Sequence, residues 1–516
     1  MVAGQRAQRD RPAPAVPVRS QLLPTGRRPR LTQTNARALH FAVAAAAFPR
    51  LKRPFSLTHS GLSSNVYSIR SGKRTRRPAP NGPGSTTGEI GMTLRKLLLS
   101  TALVGVASAA SAEIKVGFIG SLSSDTGLST LRGAEMAIEE LNAAGGVMGE
   151  QIVLVTADTQ EDVTEGVKAY EYLAETEEVD FVISGSIDDV SLGWLPRMQE
   201  YQIPTLDTWT SYIGIIDMVV EDPEGMAPYF MNIASDEALA TLYINFGADV
   251  LKAKMGFESV VVLAEDTAFG EAITGLVTEG LAPVAGIEVK EVITYDIGTV
   301  DFAPIFSKAE STGADFIYQV SSVNSQVISS QYVKLQVPMA MTGVNVSALG
   351  LEYWEDTGGA GGGISTLSPV PSVGFALDPV SQKFVDDYQA KYDSRPKMPH
   401  FNGFNAYYGL KQAMAAAEEA GGFKDVAAWS SAMLKQDLKL EKDGKLWLRY
   451  GFWDYDTVEP VTNRTYPHNA LFDLEAPYDF AQPSMVVIQW QEDGTVGVVY
   501  PFEYANSEFV LPSWVK

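Results

Sequence analysis

EIKVGFIGSLSSDTGLSTLRGAEMAIEELNAAGGVMG, residues 113–149, is the stretch whose reading decides the fold. Ile114, Val116 and Phe118 alternate at period two, as in a short buried strand, and the small residues after Ile119 let the chain turn sharply. From Leu131 onward, Ala134, Ala137, Ile138 and Leu141 recur at spacings of three and four, which is one face of a helix; Asn142-Ala-Ala-Gly-Gly146 then stops it with C-cap chemistry. Between strand and helix, Ser121-Leu-Ser-Ser-Asp-Thr-Gly127 presents hydroxyls and backbone N–H groups at the carboxyl end of a strand, where open α/β sheets bind ligands.

Outward from this stretch the same unit recurs. The strand IVLVTAD ends at Asp158, a helix runs through Val167–Leu173, and VDFVIS leads into Ser184-Gly-Ser-Ile-Asp-Asp189. A helix to about Tyr201 and the short strand Ile203–Asp207 end in Thr208-Trp-Thr-Ser-Tyr212. Three strands therefore close in polar loops, which right-handed crossovers bring to one edge of a parallel sheet. After Pro223 and Pro228 a second series begins: helix 237–251, strand 259–266, Thr267-Ala-Phe-Gly270, helix 271–285, strand 287–295, helix 302–311, strand 315–320 and helix 325–335. Gly358–Gly363 reads as a flexible hinge crossing, helices follow at 381–392 and 405–420, and MVVIQW and VGVVYP supply late strands. The pattern predicts an α/β protein of two doubly wound parallel-sheet lobes. The expected division is 113–233 completed by about 366–485, and 234–365 completed by about 486–516.

Residues 1–91 are rich in Arg, Pro, Ser and Ala and predict no fold. From Met92 the character changes: Arg95-Lys96, the apolar run Leu97–Val106 and Ala110-Ser111-Ala112 have the three parts of a secretory signal peptide in order. A cleavable signal works at a free amino terminus, so the expectation is that translation starts at Met92 and that 92–112 is removed. The formal charge of −22 conceals an asymmetry, since residues 113–516 carry 22 Lys and Arg against 60 Asp and Glu. Such acidity opposes nucleic acid and anionic lipid. With no Cys anywhere, disulfides, thiolate metal sites, cysteine nucleophiles and lipidation of an N-terminal Cys are excluded. The expected location is the periplasm.

Taken together, VGFIGSLSSDTG…RGAEMAIEELNAAGGVMG, ADTQEDVTEGVKAYEYL, EDTAFGEA and HFNGFNAYYGLKQAMAAAEEAGG resemble the solute-binding proteins of branched-chain amino-acid-type ABC importers, the type I periplasmic binding proteins. The resemblance implies two lobes joined by three crossings, closure over a small-molecule solute, delivery to a membrane permease, no cofactor and a monomer. It places first-lobe contacts in Ser121, Ser123 and Thr126, in Ile187 and Asp188, and in Trp209, Thr210 and Ser211. Second-lobe contacts fall on Phe269, Ser321 and Asn345. Two departures stand out. Asp188 and Asp189 lie where family members that bind amino acids offer hydroxyls and N–H groups to a carboxylate, and Val344-Asn345 lies where the carboxylate for an ammonium group is common. Asp188 with Trp209, Phe269, Tyr212 or Phe401 would suit a cationic, amide-bearing or aromatic solute. The aspartate pair also reads as an Asx turn or a helix N-cap, and each aromatic as core.

A catalytic reading finds little to use. G-x-x-x-x-G-K-[ST], H-E-x-x-H and G-x-S-x-G are absent, Gly117-x-x-Gly120 is not a dinucleotide fingerprint, and of the four His only His400 and His468 follow the signal. No metal cluster stands out. The alternative function is an exported hydrolase that acts on a small amide or ester with Asp188 and a Ser or Thr. Mass spectrometry of the exported protein is expected to find Glu113 as its first residue; a mature chain that retains residues before Met92 would refute this reading.

Overall fold

A computed structural model describes residues 113–516 apart from 324, 369–372, 375–376, 395–401, 443–444, 473 and 475–484, together with the backbone alone at 125–126, 402, 442 and 445–448. The expectations for residues 1–112, His400 and Phe401 lie outside the described residues. The first lobe holds β1 (Glu113–Gly120), α1 (Asp125–Ala143), β2 (Gln151–Asp158), α2 (Val163–Glu171), β3 (Phe181–Gly185), α3 (Asp188–Tyr201), β4 (Thr205–Asp207), α4 (Ile213–Glu221) and β5 (Tyr229–Met231). All five strands are parallel in the order β2-β1-β3-β4-β5, with Val116 opposite Phe181 and Gly120 opposite Gly185. The order reverses beside β1, so the crevice of this sheet opens at the carboxyl ends of β1 and β3.

The chain then builds the second lobe from α5 (Asp236–Phe246), β6 (Ser259–Glu265), α6 (Ala268–Gly280), β7 (Glu288–Tyr295), α7 (Ala303–Ser311), β8 (Phe316–Ser321), α8 (Ser325–Leu335) and β9 (Ala340–Asn345). Its strands are parallel in the order β7-β6-β8-β9. Both α5 and α6 stop short of their expected ends and finish in wider π turns, Gly247–Lys252 and Leu281–Ala285. Pro283, in the second of these, has no N–H to donate to the ordinary helical ladder.

β10 (Ser365–Ser368) lies beside β9 through a parallel bridge from Ile364 to Met341, so it belongs to the second lobe. Gly358–Gly363 is therefore not the crossing expected from its composition. Gly358, Gly359 and Gly363 take positive φ values of 62°, 78° and 81°, and a Cβ on Gly362 would lie 2.7 Å from Glu492 Cα. These glycines serve turns and close packing inside one lobe. The chain returns to the first lobe only after Ser368, with α9 (Pro379–Tyr392), α10 (Asn402–Ala420), α11 (Val426–Met433) and the antiparallel hairpin β11 (Asp437–Lys442) and β12 (Lys445–Gly451). It crosses a third time to add β13 (Val486–Trp490) and β14 (Val496–Tyr500), antiparallel to β10 and to each other.

The core of the first lobe follows the pattern of its sequence. Ile114, Val116 and Phe118 are buried with Ala134, Ala137 and Ile138 of α1 and with Leu410, Ala413 and Met414 of α10. Asn232 and Asn405 each donate their Nδ2 to the other's carbonyl, both at 3.0 Å, tying the start of α10 to the end of β5. Arg132 donates Nη1 to Tyr388 Oη at 3.1 Å and stands 4.8 Å over the Tyr392 ring. The aromatic-rich stretch that follows β12 is also placed: Met231 N–H donates to His468 O, and His468 stacks on Phe230 at 4.1 Å between ring centroids.

α1 and α10 approach so closely that a Cβ on Gly133 would sit 2.0 Å from Gly403 O, a backbone atom that cannot step aside alone. Gly133→Ala is expected to cost about 1–3 kcal/mol, read as a lower urea midpoint at unchanged slope. An unchanged midpoint would mean that the helices do not meet at these glycines.

Candidate functional site

Strand ends position the site. A cavity partly open to solvent lies between the carboxyl edges of the two sheets. Lobe one lines it with Asp188 from the first turn of α3 and with Trp209 and Ser211 from the loop after β4. Ile233 follows from the crossing after β5. Lobe two supplies Phe269 of α6, Ser322 after β8, Val344 and Val346 around the end of β9, and Leu367 of β10, with Leu239 and Leu349 completing the wall. Most of this surface is hydrocarbon. Among the described lining residues Asp188 carries the one ionisable side chain.

Asp188 is 5% exposed, and its Oδ1 accepts the N–H groups of Ser211 at 3.1 Å and Tyr212 at 2.9 Å. Burial pushes its carboxyl up to about 7; the two N–H bonds oppose the shift and repulsion from Asp207 adds to it. Asp207, at the end of β4, accepts N–H bonds from Trp209 and Thr210, each 3.3 Å, and the Ser191 hydroxyl at 2.7 Å. Burial raises it to about 6 against those bonds. Asp236, at the start of α5, accepts Ile213 N–H at 3.0 Å, and burial, then repulsion from Asp188, drives it well above the carboxylate range. In the second lobe, burial also raises Glu265, which accepts the N–H groups of Ser322 at 2.7 Å and Val323 at 3.4 Å and the Ser322 hydroxyl.

A hydrogen bond joins the two lobes across the cleft. Asp189 Oδ2 of α3 accepts Ala268 N–H, 3.1 Å away at the first position of α6, so a first-lobe carboxylate sits on a second-lobe helix N-terminus. Neither aspartate caps its own helix, whose N-cap residue is Ile187 without a side-chain bond.

Residues 113–451 match the family described as periplasmic binding protein. The chain belongs to that family. As a periplasmic binding protein it is 27% identical over 436 residues to the Leu/Ile/Val-binding protein homolog 7 of Brucella suis biovar 1, an alignment that covers 80% of this chain and 97% of that one. Solved structures share its fold. The branched-chain amino acid transporter substrate binding protein LivJ of Streptococcus pneumoniae, in complex with isoleucine, aligns with a TM-score of 0.58 at 18% identity, over 76% of this chain and 100% of that one. A solute binding protein of an ABC transporter from R. palustris, in complex with benzoate, aligns with a TM-score of 0.58 at 16% identity, over 78% and 99%.

In this periplasmic binding protein the expected site residues divide into two groups. Asp188, Trp209, Ser211 and Phe269 come together on the cavity. Ser121 instead folds its loop onto itself, its Oγ accepting the N–H groups of Ser123 at 3.3 Å and Ser124 at 3.2 Å; Ser123 is exposed, and the Thr126 side chain lies outside the described residues. Ile187 is core, and fully buried Thr210 donates its hydroxyl to Ser191 Oγ at 2.8 Å. Ser321 and Asn345 give way to their neighbours Ser322, Val344 and Val346. Strand-end side chains alternate in direction, and Asn345 Nδ2 donates to Ser329 Oγ at 2.7 Å while its Oδ1 accepts Ala348 N–H. Ile233, Leu239, Leu349 and Leu367 were not expected, since aliphatic residues in a crossing, a helix, a turn and a strand carry no local mark of a shared wall. No Ser or Thr hydroxyl among the described residues donates to Asp188, so the hydrolytic pair considered from the sequence is not formed there.

Asp189→Ala removes the acceptor that joins α3 to α6 across the cleft. It is expected to raise the radius of gyration in small-angle scattering and to weaken solute binding roughly tenfold, with the melting temperature little changed. A radius and an affinity equal to those of the parent protein would show that this bond does not hold the lobes together.

Proposed function

We propose that this protein is the extracytoplasmic solute-binding subunit of an ABC importer, capturing a small solute between its lobes by hinge closure and delivering it to a membrane permease. The observation that carries the reading is the cavity itself, whose walls come from both lobes and whose polar atoms stand at strand carboxyl ends. Burial between two surfaces removes water from both sides of a solute, and the crossings allow the lobes to part for exchange. In this reading residues 92–112 direct export, the protein acts as a monomer in the periplasm, and Asp188, Trp209, Ser211 and Phe269 touch the solute. The lobes comprise 113–231 with about 379–474, and 236–368 with about 485–516. Among the described residues no helix is long and apolar enough to cross a membrane, which is compatible with a partner that supplies the channel.

The names of the relatives make branched-chain amino acids and aromatic acids reasonable members of a test panel that also contains amines, amides and alcohols. Thermal titration of the purified exported protein is expected to give a saturable rise in melting temperature with at least one class, because a solute that binds only the folded state adds to its stability. No response to any class, with no change in scattering, would overturn the reading.

A further inference from the structure

The cleft is lined at both strand edges by backbone N–H groups, the usual means of holding a carboxylate, yet the protein's own carboxylates already occupy them. Trp209 and Thr210 N–H go to Asp207, Ser211 and Tyr212 to Asp188, and Ile213 to Asp236. Across the cleft Ala268 N–H goes to Asp189, and Ser322 and Val323 to Glu265. An anionic solute entering here would find these N–H groups already taken by carboxylates, leaving the Ser211 hydroxyl as a lining donor. No Lys, Arg or His lines the cavity among the described residues.

A second observation points to what does fit. Asp188 uses only Oδ1 for the two N–H bonds; its Oδ2 accepts no hydrogen bond among the described residues, although the residue is 95% buried and lines the cavity. A buried carboxylate with one oxygen open to an apolar chamber is costly unless a cation joins it. The same cavity is lined by the Trp209 and Phe269 rings, whose faces attract a cation, and by the aliphatic wall of Val344, Val346 and Leu349.

We infer that the solute is a small apolar amine without a carboxylate, its ammonium on Asp188 and its hydrocarbon body against Trp209, Phe269 and the aliphatic wall. This rests on the solute-binding reading and narrows it to one chemical class. The charge state of Asp188 gives a direction. The groups that face it are Asp207 from β4, Asp189 on its own helix, Asp236 from α5, Tyr229 from β5 and Tyr212 from the following loop. None of these groups is a cation, and burial, with added repulsion from Asp207 and Asp189, keeps the Asp188 proton on until about neutrality. An amine stays protonated across this range and needs the ionised carboxylate, so binding below neutrality must first displace a proton and affinity falls as pH falls. A carboxylate solute that needed the protonated Asp188 as donor would show the opposite slope.

The test is calorimetric titration of the purified exported protein with isoamylamine and phenethylamine, with the matching alcohols and carboxylic acids, and with leucine, between about pH 5.5 and 8.5, on the two sides of the Asp188 titration. The amines are expected to bind, the acids and leucine not, with amine affinity rising toward alkaline pH. Asp188→Asn keeps an Oδ1 acceptor for Ser211 and Tyr212 and so preserves the loop, and it should weaken amine binding on the order of 10- to 100-fold. Acids or leucine binding as tightly as amines would overturn the amine assignment while leaving solute capture standing. Alcohols that match the amines, a flat pH profile, or an Asp188→Asn protein with undiminished amine affinity would overturn it too. If none of these compounds binds, the assignment falls, and the broader panel described under Proposed function then decides solute capture separately.

Discussion

The carboxyl ends of both sheets are held by side-chain carboxylates that accept backbone N–H bonds, and the cleft depends on that arrangement. Asp188, at the start of α3, clasps the loop that follows β4, Asp207 clasps the same loop one step earlier, and Asp236 on α5 takes the next N–H where the chain prepares to leave the first lobe. Three buried acids thus stitch one loop to a helix, a strand and the entry to the second lobe. Burying ionisable groups costs free energy that hydrogen bonds only partly offset, and the result is a set of carboxyls that hold their protons more tightly than exposed ones. Above neutrality, ionisation of this group opposes burial. A compensating positive charge would relieve it.

The first lobe needs distant chain to be complete. α10 lies about 270 residues after α1 yet packs along it through the close approach of Gly133 to Gly403, and the reciprocal pair Asn232 and Asn405 fixes the register of that return. The region beyond β12 closes the same lobe, with His468 stacked on Phe230 and its backbone bonded to Met231. Burial lowers the His468 ring to about 4, so it is neutral at ordinary pH and acts as packing, not as a base. A further contact between the lobes is the bond of Asp189 to Ala268, which joins the beginnings of two helices.

Much of this was legible. Ile114, Val116 and Phe118 face α1 because strand side chains alternate, and Ala134, Ala137 and Ile138 meet them because helical ones recur every three to four residues. The loops after β3 and β4 and the Thr267-Ala-Phe-Gly270 turn reach the cavity as expected from their place at strand ends. At the ends of β8 and β9 the individual residue was not legible: Ser321 and Asn345 are replaced on the cavity by Ser322, Val344 and Val346, since a shift of one position reverses the direction of a side chain. The loop of Ser121–Thr126 has the composition of a recognition surface, but Ser121 Oγ accepts the N–H groups of Ser123 and Ser124. The glycines at 358–363 have the composition of a flexible segment, yet positive φ values at Gly358, Gly359 and Gly363 and close neighbours at Gly361–Gly363 place them in turns and tight packing.

By itself, the sequence determined the alternation of strands and helices, the change of character at Met92, the absence of Cys and the acidic charge of residues 113–516, because these follow from periodicity and composition along a continuous stretch. Only the tertiary structure decided which side chains share a cavity and which donors remain available to a solute. Asp188 and Asp189 are neighbours in the chain with the same chemistry, yet one turns into the cavity and the other reaches across to Ala268. That difference arises from helix geometry, which rotates successive side chains by about 100°, and from where the second lobe comes to rest against the first.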